Sequence, residues 1–312
     1  MLDELKYLER LTLRLAAGMN QLPDEVRARH AEFLLSKQNP DGGFSGREGG
    51  SDLYYTSFAL RSLAITGKLE GEPAERAAEF LQSCLGKQAA IIDFLSLLYG
   101  AMLLDTSAGI DIFQTAADRW EDRVAAEMER FRRDDGGYAA SDEGFSSSTY
   151  YTFLVLLCLQ IVELPPQRPE QIVEFLLSRR REDGGFVELG PMKRSGTNPS
   201  AAAIGALQIL DAVDTNVREE AIDFLLDRQT DEGGFAANTR IPFADVLSTF
   251  TALLTLTDLG ARSEVDLAEV AQFLSSTEQP SGGFTAGLLD QVPDVEYTFY
   301  GLGVRALLED VR

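Results

Sequence analysis

The 312-residue chain has one histidine (His30), two cysteines (Cys84 and Cys158) and one tryptophan (Trp120). So few imidazoles and thiols cannot build the common zinc sites made wholly of Cys and His. A catalytic triad would have only His30 to use as its base. Two cysteines more than seventy positions apart make no disulfide framework, which suits a reducing compartment. Positive charge is also scarce: 28 Lys and Arg stand against 50 Asp and Glu, a formal net charge of −22. A surface of that sign repels phosphate backbones and anionic headgroups, so nucleic acid is not an expected partner. The longest apolar stretches, Ala89–Leu104 and Phe153–Val162, fall short of a membrane span, and Met1–Arg10 alternates charged with apolar residues. The expectation is a cytoplasmic protein without membrane insertion.

A repeat is abundantly present. A Phe-Leu pair followed nine residues later by Gly-Gly-Phe occurs at Phe33, Phe175, Phe224 and Phe273. A fifth loop, Gly136-Gly137-Tyr138, keeps the spacing but has Glu127-Met128 in the place of Phe-Leu. Another copy keeps Phe80-Leu81 and runs on through Ala89-Ala90 without the glycines. The anchors 33, 80, 127, 175, 224 and 273 are spaced by 47 to 49 residues. Six units of about 48 residues therefore fill the chain from about residue 24, after a short helix near 3–17.

Each unit reads as two helices. Glu170–Arg181 carries its apolar residues on one stripe, whereas Ser200–Val213 and Val246–Leu259 are apolar nearly all round. An amphipathic outer helix and an apolar inner one imply two concentric layers. The Gly-Gly pair is expected to stop the outer helix as a left-handed cap. The predicted fold is all-α, an α/α toroid of six hairpins in one domain over 1–312. An open solenoid is the alternative.

The patterns Leu34-x3-Gln38-x3-Gly42-x-Phe44 and Leu225-x3-Gln229-x3-Gly233-x-Phe235 resemble the QW repeat of terpenoid cyclases with Phe in place of Trp. The Gly-Gly-Phe form and the period are more similar to the β subunits of protein farnesyl- and geranylgeranyltransferases. The resemblance covers nearly the whole chain and implies an isoprenoid or similar apolar ligand in a central cavity. Those β subunits hold zinc with Asp, Cys and His. By the resemblance Asp245 keeps the first place, while Leu247 and Tyr297 stand where the other two belong. No zinc cofactor is therefore expected. Of the family's diphosphate-binding positions, the histidine corresponds to Gly196, and only Arg240 lies near the expected cations. Lys193, Arg194 and Arg47 are candidate substitutes. The acidic Asp-x-Asp-Asp run of class II cyclases is absent, as is the Gly-Cys-Gly-Glu-Gln run of thioester domains.

Asp52, Asp93, Asp245 and Asp294 begin or precede inner helices. They read either as helix N-caps or as a carboxylate ring able to hold Mg²⁺ or exchange protons. Tyr54, Tyr55, Phe58, Tyr150, Tyr151, Phe250, Tyr297 and Tyr300 gather at the same level. Some would line an apolar pocket and others pack the helices, since neighbours such as Tyr54 and Tyr55 cannot both face inward. The small residues Ala201–Ala203, Gly205 and Ala206 either widen the pocket or allow close helix contact. Cys84 and Cys158 are expected as buried fillers, His30 facing solvent or a neighbouring helix, and Trp120 within the third outer helix.

Asp245 and Tyr297 are thus the candidate catalytic residues. Tyr54, Tyr55, Tyr151, Phe250, Tyr300, Arg47, Lys193, Arg194 and Arg240 are the candidate ligand contacts. The leading reading is a toroid that binds an isoprenoid or its diphosphate, as a zinc-independent prenyltransferase, a cyclase-like enzyme or a binding protein. The alternatives are a non-catalytic scaffold for a helical protein partner and, more weakly, a carboxylate-based hydrolase or lyase.

Overall fold

The computed structural model describes residues 5–87, 90–114 and 119–309. Residues 3 and 4 of the expected first helix, and Ala89 of the glycine-free copy, lie outside the described residues. Among the described residues the regular elements are thirteen α-helices and one 3-10 turn, with pairing between extended residues limited to isolated bridges. The first helix is α1 (Tyr7–Met19), a few residues later than the sequence suggests. Six hairpins follow: α2 (Asp24–Leu35) with α3 (Leu53–Ile65), α4 (Gly71–Ser83) with α5 (Ile91–Ala108), and α6 (Trp120–Arg130) with α7 (Thr149–Ile161). Then come α8 (Pro169–Ser178) with α9 (Thr197–Ile209), α10 (Thr215–Leu226) with α11 (Val246–Asp258), and α12 (Leu267–Thr277) with α13 (Val295–Leu308).

The chain divides into two compact units, residues 1–120 with 277–312, and residues 121–276. In the first, α3 packs between α5 and α13, and α1 lies against α13 and α3. Thr12 of α1 also shares a 2.7 Å hydrogen bond with the buried Tyr99 hydroxyl of α5. Among the described residues α5 is the one helix long and apolar enough to cross a membrane; 56% of it is buried, against α3 and α4 among others. In the second unit α9 packs between α7 and α11.

The Gly-Gly loops do not cap helices. The leading helix α2 ends at Leu35, and its cap residue Ser36 stays in the right-handed region. The glycines instead close a narrow hairpin four residues on. Gly42 donates to the Asn39 carbonyl at 3.0 Å, Asn39 donates to the Gly43 carbonyl at 2.8 Å, and Gly42 has φ +89°. This is a turn followed by one left-handed residue, the geometry of a three-residue hairpin loop. The same pair of bonds recurs at Arg133–Gly137, Arg181–Gly185, Thr230–Gly234 and Gln279–Gly283.

Both glycines are needed for contact with the next repeat. A Cβ on Gly42, Gly136, Gly184 or Gly233 would lie 2.0–2.5 Å from a backbone carbonyl oxygen of the following leading helix. A Cβ on Gly43, Gly137, Gly185 or Gly234 would strike the ring of Phe80, Phe175, Phe224 or Phe273. Those rings are the conspicuous Phe of the Phe-Leu pairs. The last loop does the same within the first unit: Gly282 faces the Arg29 carbonyl of α2, and Gly283 faces Phe33. The aromatic after the glycines (Phe44, Tyr138, Phe186, Phe235 or Phe284) is completely buried. Its backbone N–H donates to a hydroxyl on the core helix of its own repeat: Thr56, Thr152, Ser200, Thr249 and Thr298.

A glutamine ties two repeats at the start of the turn. Gln38 Nε2 donates to the carbonyls of Gly42 and Pro73, and Gln229 Nε2 to those of Gly233 and Asp266. In the sixth repeat this position is Glu278, which binds Arg29, Arg305 and His30. His30 is not at the surface: it is 1% exposed, its ring stacks on Phe284 at 5.0 Å, and Nδ1 accepts from the Gly283 amide. Nε2 is therefore the protonated nitrogen, donating to Glu278 at 3.1 Å. Burial would raise the Glu278 pKa, but the His30 hydrogen bond and the charges of Arg305 and Arg29 prevail and hold it at about 2. Cys158 is buried, and burial drives its thiol pKa up. Cys84 is only partly covered, at the end of α4, which corrects the expectation of two core cysteines. Trp120 opens α6 and stacks on Phe113 at 4.1 Å.

Three outcomes are expected. Gly184→Ala combines a positive φ with a 2.4 Å backbone clash, and should cost about 3 kcal/mol in urea unfolding. Gly49→Ala has φ +94° but open space around it, and should cost only about 1 kcal/mol. Because the folded-state pKa of Glu278 is depressed, its contribution is complete above about pH 4.5 and drains away as pH falls toward 2. Glu278→Gln should lose about 2 kcal/mol at pH 7, and its deficit against wild type should shrink between pH 5 and pH 3.

Candidate functional site

The four aspartates that begin or precede core helices all serve backbone amides. Asp52 accepts from Tyr54 and Tyr55, Asp245 from Ser248, and Asp294 from Tyr297, each as an N-cap. Asp93, three residues into α5, reaches back to the Ala90 amide. Among the described residues no three His, Cys, Asp or Glu side chains converge as metal ligands.

In the second unit, Asp245 also accepts from the Ser248 hydroxyl at 2.8 Å. Burial raises its pKa, opposed by the Ser248 bonds and the Leu247 amide. Phe250, one turn on, is buried. Tyr151 begins α7, with its amide bonded to Ser148 and its ring 5.6 Å from that of Tyr150. Ser148 donates in turn to Glu188, a carboxyl that burial also pushes up. Lys193, Arg194 and Arg240 are exposed on the loops leading into α9 and α11. These loops are stitched side by side by Thr197, which bonds the carbonyls of Ala236 and Ala237.

The first unit holds the denser constellation. Tyr54, Phe58 and Arg61 fall at i, i+4 and i+7 of α3, hence on one face. Glu296, Phe299 and Tyr300 share a face of α13 in the same way. The Tyr54 hydroxyl donates to Glu296 at 2.6 Å. Phe58 meets Tyr54, Phe299 and Tyr300 at ring separations of 4.9 to 5.6 Å. Tyr55 packs against Gly46 and meets the Tyr54 ring edge-on at 5.3 Å. Burial raises the Glu296 pKa, the Tyr54 bond lowers it, and nearby Asp294 adds to the rise. A half-buried carboxyl of this kind, beside π faces, can hold and release a proton.

Arg47 is already committed. It reaches Asp290 through both terminal nitrogens, at 2.5 and 3.0 Å, and Asp294 through Nε at 2.8 Å. The Asp290 bonds, outweighing burial, raise its pKa further. Its guanidinium also stands 5.8 Å from the ring centre of Tyr297, which in turn lies 6.4 Å from Tyr300. A headgroup would have to displace two carboxylates to use it. Tyr297 and Asp245 belong to different units, and each has its own neighbours.

Sequence reasoning overlooked Glu296, Arg61, Tyr99 and Asp290. Arg61 carried a signal, a lone charge in the otherwise apolar LYYTSFALRSLAI helix. The others gave none, because Glu296 meets Tyr54 and Asp290 meets Arg47 across more than 240 residues.

A family model described as the prenyltransferase alpha-alpha toroid domain matches residues 8–99, 75–239 and 200–312. The fold is similar to protein geranylgeranyltransferase-I of Candida albicans complexed with GGPP, at 16% identity, 89% coverage of both chains and a TM-score of 0.71. It is similar to a type II terpene cyclase variant from Scytonema in complex with geranylgeranyl dihydroxybenzoate, at 15% identity, with 96% of this chain and 98% of that one covered and a TM-score of 0.61. An inactive α-1,6-mannanase variant of Salegentibacter in complex with α-1,6-mannotriose gives 14% identity, 92% and 98% coverage and a TM-score of 0.64. Identities this low establish the shared fold alone. No curated protein sequence matches the chain.

Asparagine caps helices as well as aspartate does, and it removes the cost of a buried charge. Asp245→Asn should therefore match or slightly exceed wild-type stability at pH 7 in urea unfolding, while Asp245→Ala loses about 1 kcal/mol.

Proposed function

Because the chain belongs to the prenyltransferase α/α-toroid family, we propose that it binds an isoprenoid, or an apolar ligand of similar length, against its core helices. The observation that carries this reading is the aromatic cluster on α3, α5 and α13: Tyr54, Phe58, Tyr99, Phe299 and Tyr300. Such rings cover an isoprene chain and favour cationic character over their faces. Two structural neighbours support the ligand class, since one is complexed with GGPP and another with geranylgeranyl dihydroxybenzoate.

The zinc of the resembling β subunits does not fit these residues. Leu247 and Tyr297 offer no thiolate or imidazole, and the Asp245 carboxylate is occupied by Ser248. If the protein is an enzyme, its chemistry falls to other groups. Glu296 and Asp245 are the carboxyls that burial biases toward the protonated form, and Tyr297 stands beside Arg47. Lys193, Arg194 and Arg240 are exposed on the loops of the second unit.

The test is calorimetric titration of the protein with geranylgeranyl diphosphate, first with zinc and then with chelator. Micromolar binding indifferent to chelation is expected. Binding that requires zinc would overturn the reading of Leu247 and Tyr297. Absence of both heat and thermal shift would overturn the isoprenoid reading in favour of a scaffold.

A further inference from the structure

Arg61 has faces but no acceptor. Its guanidinium carbon lies 4.6 Å from the ring centres of both Phe58 and Tyr99, and 5.8 Å from that of Phe299. Its Nε is buried without a hydrogen-bond partner, and neither terminal nitrogen makes an ion pair or hydrogen bond with any described residue. Two polar groups that feel its charge are bonded elsewhere. The Tyr99 hydroxyl is shared with Thr12, and the Glu296 carboxyl is bonded by Tyr54 and biased toward its neutral form by burial.

Other arginines of the first unit show what a satisfied guanidinium looks like in this fold. Arg47 has Asp290 and Asp294, Arg305 has Glu278, and Arg29 shares Glu278 through a terminal nitrogen although its Nε is unpartnered. Arg27, Arg29, Arg179 and Arg228 share the orphaned Nε, but the first three hold a carboxylate through a terminal nitrogen, and Arg228 stands over a single ring, Phe224, of its own leading helix. Among the described residues Arg61 is the arginine that combines three neighbouring rings with side-chain donors unpaired to any protein group. Rings on the faces of a guanidinium leave its edges open, and the edge is the direction from which a carboxylate or phosphate binds through two parallel hydrogen bonds. Leaving the buried Nε unmet is costly, and a bound oxyanion would relieve that cost.

We propose that Arg61 recognises an oxyanion, a carboxylate or a diphosphate, at the end of an apolar ligand whose chain lies on the neighbouring rings. This rests on the isoprenoid reading for the apolar part and on Arg61 itself for the anionic part. It assigns the anionic end to α3 rather than to Arg47, whose donors are spent.

The experiment compares wild type, Arg61→Met and Arg61→Lys by calorimetry, with thermal melting as the check on folding. The probes are geranylgeranyl diphosphate, geranylgeranoic acid, the neutral alcohol geranylgeraniol, and inorganic pyrophosphate. Arg61→Met should weaken the preferred anionic lipid at least tenfold and leave the alcohol unchanged. Whichever of the acid and the diphosphate suffers the larger loss identifies the oxyanion. Arg61→Lys keeps the charge without the fork and should fall between; it carries the comparison if the methionine variant does not fold. Equal losses for alcohol and anions would reduce Arg61 to packing and overturn the proposal, as would no loss for the anions. If no lipid binds wild type, the isoprenoid reading fails separately. Pyrophosphate binding abolished in Arg61→Met would then still uphold the anion site, and its absence would overturn it.

Discussion

The fold depends on one contact made five times: an aromatic ring from one repeat lying against a glycine that cannot carry a Cβ. The left-handed first glycine brings the hairpin against the backbone of the next leading helix, and the second leaves room for the phenylalanine that helix presents. The buried aromatic that follows ties the hairpin to its own core helix through a backbone N–H and a Ser or Thr hydroxyl. Each turn thus joins three helices, two of its own repeat and one of the next. A Cβ at either glycine would push against backbone or ring, neither of which can yield without moving a helix.

The same constraint accounts for the two irregular repeats as a pair. The copy without a Gly-Gly loop is the second, and the copy with Glu127 in place of phenylalanine is the third. The ring has no purpose where the preceding loop is missing, and there the position carries a half-covered glutamate bonded to Arg130. In the sixth repeat the constraint is met by different chemistry. Glu278 replaces the bridging glutamine and gathers His30, Arg29 and Arg305, so the lone histidine of the chain secures the contact of the last loop with the first leading helix.

Charge in the first unit is sorted by whether it has a partner. Arg47 is neutralised by two aspartates near the start of α13, and Asp294 serves both that pair and the helix amide. Arg61, a few turns away in sequence, is walled by rings and given no carboxylate. Glu296, a carboxyl that feels its charge, is bonded by Tyr54. A paired cation stabilises the loop that bears it, while an unpaired one within an aromatic wall is available to a ligand.

The repeat, the two-helix unit, the all-α class and the family were legible in the chain because they rest on local spacing: a 47-to-49-residue period, an apolar stripe and a Gly-Gly signal. The capping aspartates were legible as one of two readings, since a cap acts within three residues of itself. What the glycines do was not, because their role is set by a helix in the next repeat rather than by the one they follow. His30, Arg47 and Glu296 were likewise undecided, as their partners lie more than 240 residues away. Local propensity chooses the elements, but only tertiary packing decides which cation finds a carboxylate and which is left with three rings and an open edge.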